Sequence, residues 1–207
     1  MSKPTNTDQG AMTKKESKMR TATIQIKGLT PYSQSRAFES EKEARETHDS
    51  FDKRAWLEHL HVNTDGNVIV PAVAITQGMT AAASYLGKGG SLKKKGSATW
   101  AQNFQCGLAV ARGASLGVKP DGARPERVYC HAKGRRGTGT RVWRTFPVFD
   151  EWACELIIHI LDDTIPEEIF QRVLSAFGLF IGIGRHRPEN GGYLGRFKVE
   201  KVVIQDA

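Results

Sequence analysis

Five glycines, three arginines and one histidine share the segment GIGRHRPENGGYLGRF, residues 182–197. An imidazole flanked by guanidinium groups, as in Arg185-His186-Arg187, has the parts for metal-free RNA cleavage. Such cleavage needs a general base and a cation to hold the charge that builds on phosphorus. His61 is a second candidate base. The same residues also suit plain contact. Arg185, Arg187 and Arg196 offer planar donors to phosphate, Tyr193 offers a ring, and glycine lets a backbone approach a ligand closely. The segment is expected to act as a flexible backbone cradle.

A second group of candidates lies in the middle of the chain. Lys93, Lys94 and Lys95 fall in a Gly/Ser stretch, and Lys133, Arg135 and Arg136 in KGRRGTG. Arg141 and Arg144 flank Trp143 in TRVWRTF. Cations beside an exposed aromatic suit a single nucleic-acid strand, the charges holding phosphates while the ring stacks on a base. Alternation along a strand puts Val142 on the face opposite Arg141 and Trp143, so the ring is expected on the arginine side.

Charge is distributed in the same sense. The net charge of the 207 residues is +8, yet residues 88–145 alone carry +11, with thirteen Lys/Arg against two acids. Residues 1–20 add +3, while 21–87 and 146–207 are acidic at −2 and −4. A localised basic block is the electrostatic footprint of a polyanion binder; a solubilising face would mix the signs.

Several chemistries are disfavoured. LGKGGS and GRRGTGT do not match G-x-x-x-x-G-K-[ST], and neither joins a buried strand to a helix N-terminus. His59-Leu60-His61 has no carboxylate or thiolate nearby in sequence to complete a metal site, and Cys106, Cys130 and Cys154 form no CxxC pair. No nucleophile elbow is present. No cofactor or metal is therefore expected. There is no apolar run of membrane-spanning length and no signal-peptide core, so a cytoplasmic protein that avoids membranes is expected.

These residues need a scaffold. Residues 1–20 read as a basic disordered arm and 21–207 as one domain. TATIQIKGL (21–29) alternates as a strand, and the charged stretch 39–60 reads as a helix broken near Asp49-Ser50. A turn at Asp65-Gly66 signals a hairpin. In 71–87 a proline-led helix carries Ile75, Met79, Ala82 and Leu86 at helical spacing. A short helix is expected near 100–107. ERVYCHA (126–132) and TRVWRTFPVF (140–149) are strands around the basic tip, and EWACELIIHIL (151–161) is a further strand. Residues 166–180 form a helix with Ile169, Val173, Leu174 and Phe177 on one face, and GRFKVEKVVI (195–204) closes as a strand. Without insertions the order is β-α-β-β-α-β, an α+β ferredoxin-like core. The insertions precede and follow the first helix and enlarge the central hairpin. The core strands lack the aromatic signature of the RNA-recognition module, which points to loops and hairpin rather than the bare sheet as the contact surface.

NVIVPAVAITQGMTAAASYLG resembles the segment in which the RAMP superfamily, the proteins that form CRISPR effector backbones, starts its first helix. GIGRHRPENGGYLGRF resembles that family's C-terminal glycine-rich loop. RVWRTFPVFDEW is similar to segments of uncharacterised phage and prophage proteins of the same layout. The likeness spans roughly residues 21–204. It implies a non-enzymatic binder of single-stranded RNA or DNA, of phage or mobile-element origin, that assembles as a homo-oligomer or filament along the strand. A metal-free endoribonuclease of RAMP type and a protein-interaction factor acting on a RAMP-type assembly are the alternatives. No cleavage-site motif is present.

Overall fold

The computed structural model describes residues 18–89, 92, 99–131 and 140–206. In chain order the strands are β1 (Arg20–Gly28), β2 (Tyr32–Ser33), β3 (Ile69–Val70), β4 (Leu108–Ala109), β5 (Ala114–Ser115), β6 (Arg124–His131), β7 (Arg141–Phe149), β8 (Ala153–Ile160) and β9 (Phe197–Asp206). The helices are α1 (His48–Ala55), α2 (Ala72–Lys88), α3 (Ala101–Gly107) and α4 (Glu167–Ala176).

β1 is the centre of an antiparallel sheet ordered β4-β8-β1-β9. Its alternating pattern sends Ala22, Ile24 and Ile26 inward, where they are buried. Ile24 lies opposite Leu156 on one side and Val202 on the other, so all three strands present one apolar face. The stripes of α2 (Ile75, Met79, Ala82) and α4 (Phe170, Val173, Leu174) complete the same core. Gly78 permits close approach of the two helical segments, because a Cβ there would strike the ring of Phe177. With β1, α2, β4, β8, α4 and β9 in sequence, the chain is an α+β ferredoxin-like fold. Its second core strand, β4, has only two residues, pairing with Ile160 and His159.

β6 and β7 form a long ribbon inserted between β4 and β8. Together with β2 they make a separate sheet, ordered β2-β7-β6. The tip of this ribbon, with Lys133, Arg135 and Arg136, lies outside the described residues, as do Lys93, Lys94 and Lys95 and residues 1–17 of the expected arm. Arg20, placed at the end of that arm by its charge, instead opens β1 and donates to the Ile165 carbonyl at 2.7 Å.

Two of the expected helices differ from expectation, and the short strands β2, β4 and β5 were not expected. Residues 39–47 are not helical; α1 starts at His48, with the Thr47 hydroxyl accepting from the Ser50 N–H at 3.2 Å. ESEKEARE carries charge all round and has no apolar stripe to bury, whereas α1 buries Phe51, Asp52 and Ala55. Likewise α4 ends at Ala176, and Phe177–Ile181 continue as a wider π turn closed by the Gly182 N–H on the Phe177 carbonyl at 2.7 Å. The Asp65-Gly66 turn forms, with Gly66 at φ 75° and one bridge between Val62 and Val68.

Candidate nucleic-acid interface

The register of the ribbon sorts its side chains. Tyr129 faces Trp143, and Glu126 faces Phe146. With alternation, Arg127, Tyr129 and Trp143 occupy one face, and Glu126, Val128, Arg144 and Phe146 the other. Trp143 and Tyr129 are each half exposed, and their ring centroids lie 5.2 Å apart. The Arg127 guanidinium sits 4.9 Å from the Trp143 ring and also pairs with Asp49 on α1. Arg141 is exposed on the Trp143 side of β7, as expected. Arg144 is on the opposite side, with Val142, and faces the buried Asp52 carboxylate at 3.7 Å.

Segment 182–196 packs beside this ribbon, and it is not the flexible cradle expected from its glycines. Ile183 and Leu194 are buried and pin both ends. The Ile183 N–H donates to the Gly195 carbonyl at 2.9 Å, the Leu194 N–H to His186 at 3.1 Å, and the Gly192 N–H to Arg187 at 3.1 Å. Glycine is needed for this folding-back. Gly195 has φ 73°, and a Cβ there would overlap the Ile183 carbonyl oxygen; one on Gly192 would overlap that of His186. These amides are thus bound within the loop rather than offered to a ligand.

Between the loop and β6 runs a groove of about 350 Å³ lined by Glu126, Arg127, Val128, Tyr129, Trp143, Arg185, His186, Tyr193 and Leu194. It joins four of the residues singled out in the sequence: Trp143, Arg185, His186 and Tyr193. His186 is exposed with φ 52°, and Tyr193 is also exposed. The Arg185 guanidinium lies 3.7 Å from the Phe146 ring centroid and 3.6 Å from the Glu126 carboxylate. Burial pulls its pKa below the usual arginine value, with Glu126 acting in the opposite sense. His59 stacks on the same ring at 4.8 Å, and burial lowers its pKa too.

A smaller cleft of about 160 Å³ opens near the start of α2, lined by Gln34, Arg36, His61, Pro71, Arg185 and Arg187 among others. Burial, then the charge of Arg36, holds the His61 imidazole below the ordinary histidine pKa. Arg187 pairs with Glu189 at 2.7 Å. Arg196 lines neither space; its Nε donates to the Leu179 carbonyl at 3.1 Å. Among the described residues no group of three or more His, Cys, Asp or Glu could hold a metal ion, and no helix is long and apolar enough to cross a membrane.

Sequence reasoning missed Glu126, Arg127 and Tyr129. Counting back across the hairpin from Trp143 would have indicated Tyr129. Glu126 was marked by rarity, as one of two acids in residues 88–145.

Seventy chains of solved structures match this fold. One belongs to the cryo-EM structure of the Type III-B Cmr-beta bound to cognate target RNA, with a TM-score of 0.53 and 12% sequence identity. The likeness is one of fold. The match covers 91% of this chain and 61% of the Cmr-beta chain, so the present chain spans less than two thirds of that neighbour's length. No family model and no curated protein matches the chain.

Proposed function

We propose that this protein binds single-stranded RNA in the groove between the β6–β7 ribbon and segment 182–196. The observation that carries this reading is the meeting of Tyr129, Trp143 and Tyr193, all exposed, with Arg127 and Arg185 along one groove. Exposed rings cost stability by contacting water, and aromatic platforms beside arginine are how sequence-tolerant single-strand binders hold bases. Lys93, Lys94, Lys95, Lys133, Arg135, Arg136 and Arg141 supply phosphate contacts on this reading. RNA is favoured over DNA because the RAMP-like neighbour is bound to target RNA. Several copies side by side along one strand would extend the same contacts.

Fluorescence anisotropy with matched single- and double-stranded RNA and DNA across a salt series tests the proposal. Single-stranded RNA should bind tightest, with affinity falling steeply as salt rises. Binding that is insensitive to salt, or equal for duplexes, would refute it.

A second reading, metal-free RNA cleavage, is favoured by one observation. His61 is held neutral by burial in a cleft shared with Arg36 and Arg187, which is the state a general base needs. His61, rather than the exposed His186, is then the base. Incubation with RNA in EDTA should give products that His61→Ala abolishes and His186→Ala does not. Intact RNA with the wild-type chain would end this reading.

A further inference from the structure

Arg185 is poorly matched to the phosphate role its sequence context suggests. Its side chain is only 8% exposed, and Nη1 is buried without a hydrogen-bond partner. Buried donors left unmatched in a protein are uncommon, and the guanidinium that carries this one belongs to a residue lining an open groove. The neighbouring charge decides which kind. The Glu126 carboxylate lies 3.6 Å from that same nitrogen, beyond hydrogen-bonding distance, and among the described residues no side-chain or backbone donor bonds it. A phosphate at the groove side of this guanidinium would sit beside a carboxylate, and the repulsion would cancel much of the attraction. A neutral ligand with an acceptor for Arg185 and donors for Glu126 satisfies both groups.

We propose that Glu126 and Arg185 read the edge of one base, and that the base preferred is guanine. This rests on the groove being the RNA site. Guanine alone presents two adjacent N–H donors, at N1 and N2, matching both oxygens of a carboxylate, with the acceptor O6 next to them for a guanidinium. Adenine and cytosine offer the carboxylate a single amino group, and uracil a single imino proton. The reader is also preorganised. Phe146 stacks under the Arg185 guanidinium at 3.7 Å, with His59 and then Phe38 continuing the stack at 4.8 Å and 4.3 Å. The strand is thus held by rings and cations at most positions and selected at one. Single-stranded RNA is read in this way, through unstacked bases whose edges are exposed.

The test uses the full chain and fluorescence anisotropy with oligouridine strands carrying guanine, inosine or adenine at central positions. Guanine strands should bind about tenfold tighter than adenine or plain uridine strands. Inosine, which keeps N1–H and O6 but lacks the 2-amino group, should lose much of that gain. Glu126→Gln should erase the preference, so that guanine, inosine and adenine strands bind the variant alike, and a thermal melt checks its fold. The inosine comparison leaves the protein unaltered, so a folding defect in the variant cannot hide the outcome. Equal affinity for all strands, or a preference that survives Glu126→Gln, would overturn base reading while leaving RNA binding intact. If no strand binds at any salt concentration, both readings fall.

Discussion

Truncating Trp143 to alanine separates a contact residue from a core residue. The ring is 49% exposed, and its recorded neighbours are Tyr129 at 5.2 Å and Arg127 at 4.9 Å. Loss of an aromatic pair and a solvated cation–π contact costs the fold about 1–2 kcal/mol. For a chain of this size that lowers Tm by roughly 2–8 °C. A buried Trp would cost the fold about 3–5 kcal/mol. The effect on binding is predicted to be at least as large. Stacking on an aromatic contributes on the order of 1–3 kcal/mol per base, so Kd for single-stranded RNA should rise roughly 5- to 150-fold. Trp143→Phe keeps a smaller ring and should recover part of the loss. The two quantities are measured separately, by anisotropy at fixed salt and by thermal melting. If Kd stays within about twofold of wild type while Tm falls steeply, Trp143 is a packing residue and the groove has been misread.

Other consequences concern the frame around the groove. His59 is held neutral by burial, with a pKa below the ordinary value of about 6.5. The unfolded chain therefore takes up protons first as pH falls, and stability should decline from about pH 7 downward, levelling below the folded-state pKa. Thermal melts between about pH 7 and pH 5 should show a smaller decline in His59→Phe, whose ring cannot protonate. Gly195→Ala places a Cβ against the Ile183 carbonyl at a positive φ and should cost about 2–4 kcal/mol in urea denaturation, loosening the loop and weakening RNA binding with it. Asp52 accepts the Thr145 N–H at the edge of β7 and faces Arg144. Its replacement by alanine orphans a buried donor and should cost about 2–3 kcal/mol, most of which Asp52→Asn should restore, because the amide oxygen still accepts.

What could be read from the sequence follows from where each signal originates. β1, α2 and α4 carry their own periodicity, since Ile24, Met79 and Val173 repeat with the spacing of the face they bury. β4 carries none. Leu108–Ala109 is a strand only because the edge of β8 offers Ile160 and His159 as partners, and no local pattern encodes a partner at least 50 residues away. The aromatic platform was half legible for the same reason. Trp143 announces itself among arginines, while Tyr129 gains meaning only through cross-strand register. The glycine-rich loop misled in the opposite direction. Its composition suggests freedom, yet Ile183 and Leu194 anchor it and its glycines serve close backbone packing within the loop.

The pairing of arginines in and around the groove has a consequence for its salt dependence. Arg127, Arg144, Arg185 and Arg187 each face a carboxylate: Asp49, Asp52, Glu126 and Glu189. A cation already paired within the protein gains less from a phosphate than a free one. The groove is therefore suited to hold rings and edges, leaving phosphate neutralisation to the Lys/Arg-rich segments around Lys93–Lys95 and the hairpin tip. The two tasks separate in a plot of log affinity against log salt concentration. Each phosphate neutralised on a single strand contributes about −0.7 to the slope. Replacing Lys133, Arg135 and Arg136 together by glutamine should make the slope shallower by about 2 if all three meet phosphates. Trp143→Ala should lower the line without changing its slope, because stacking releases no counterions. If the tip variant keeps the wild-type slope and the Trp143 variant flattens it, the division of labour between tip and groove is reversed.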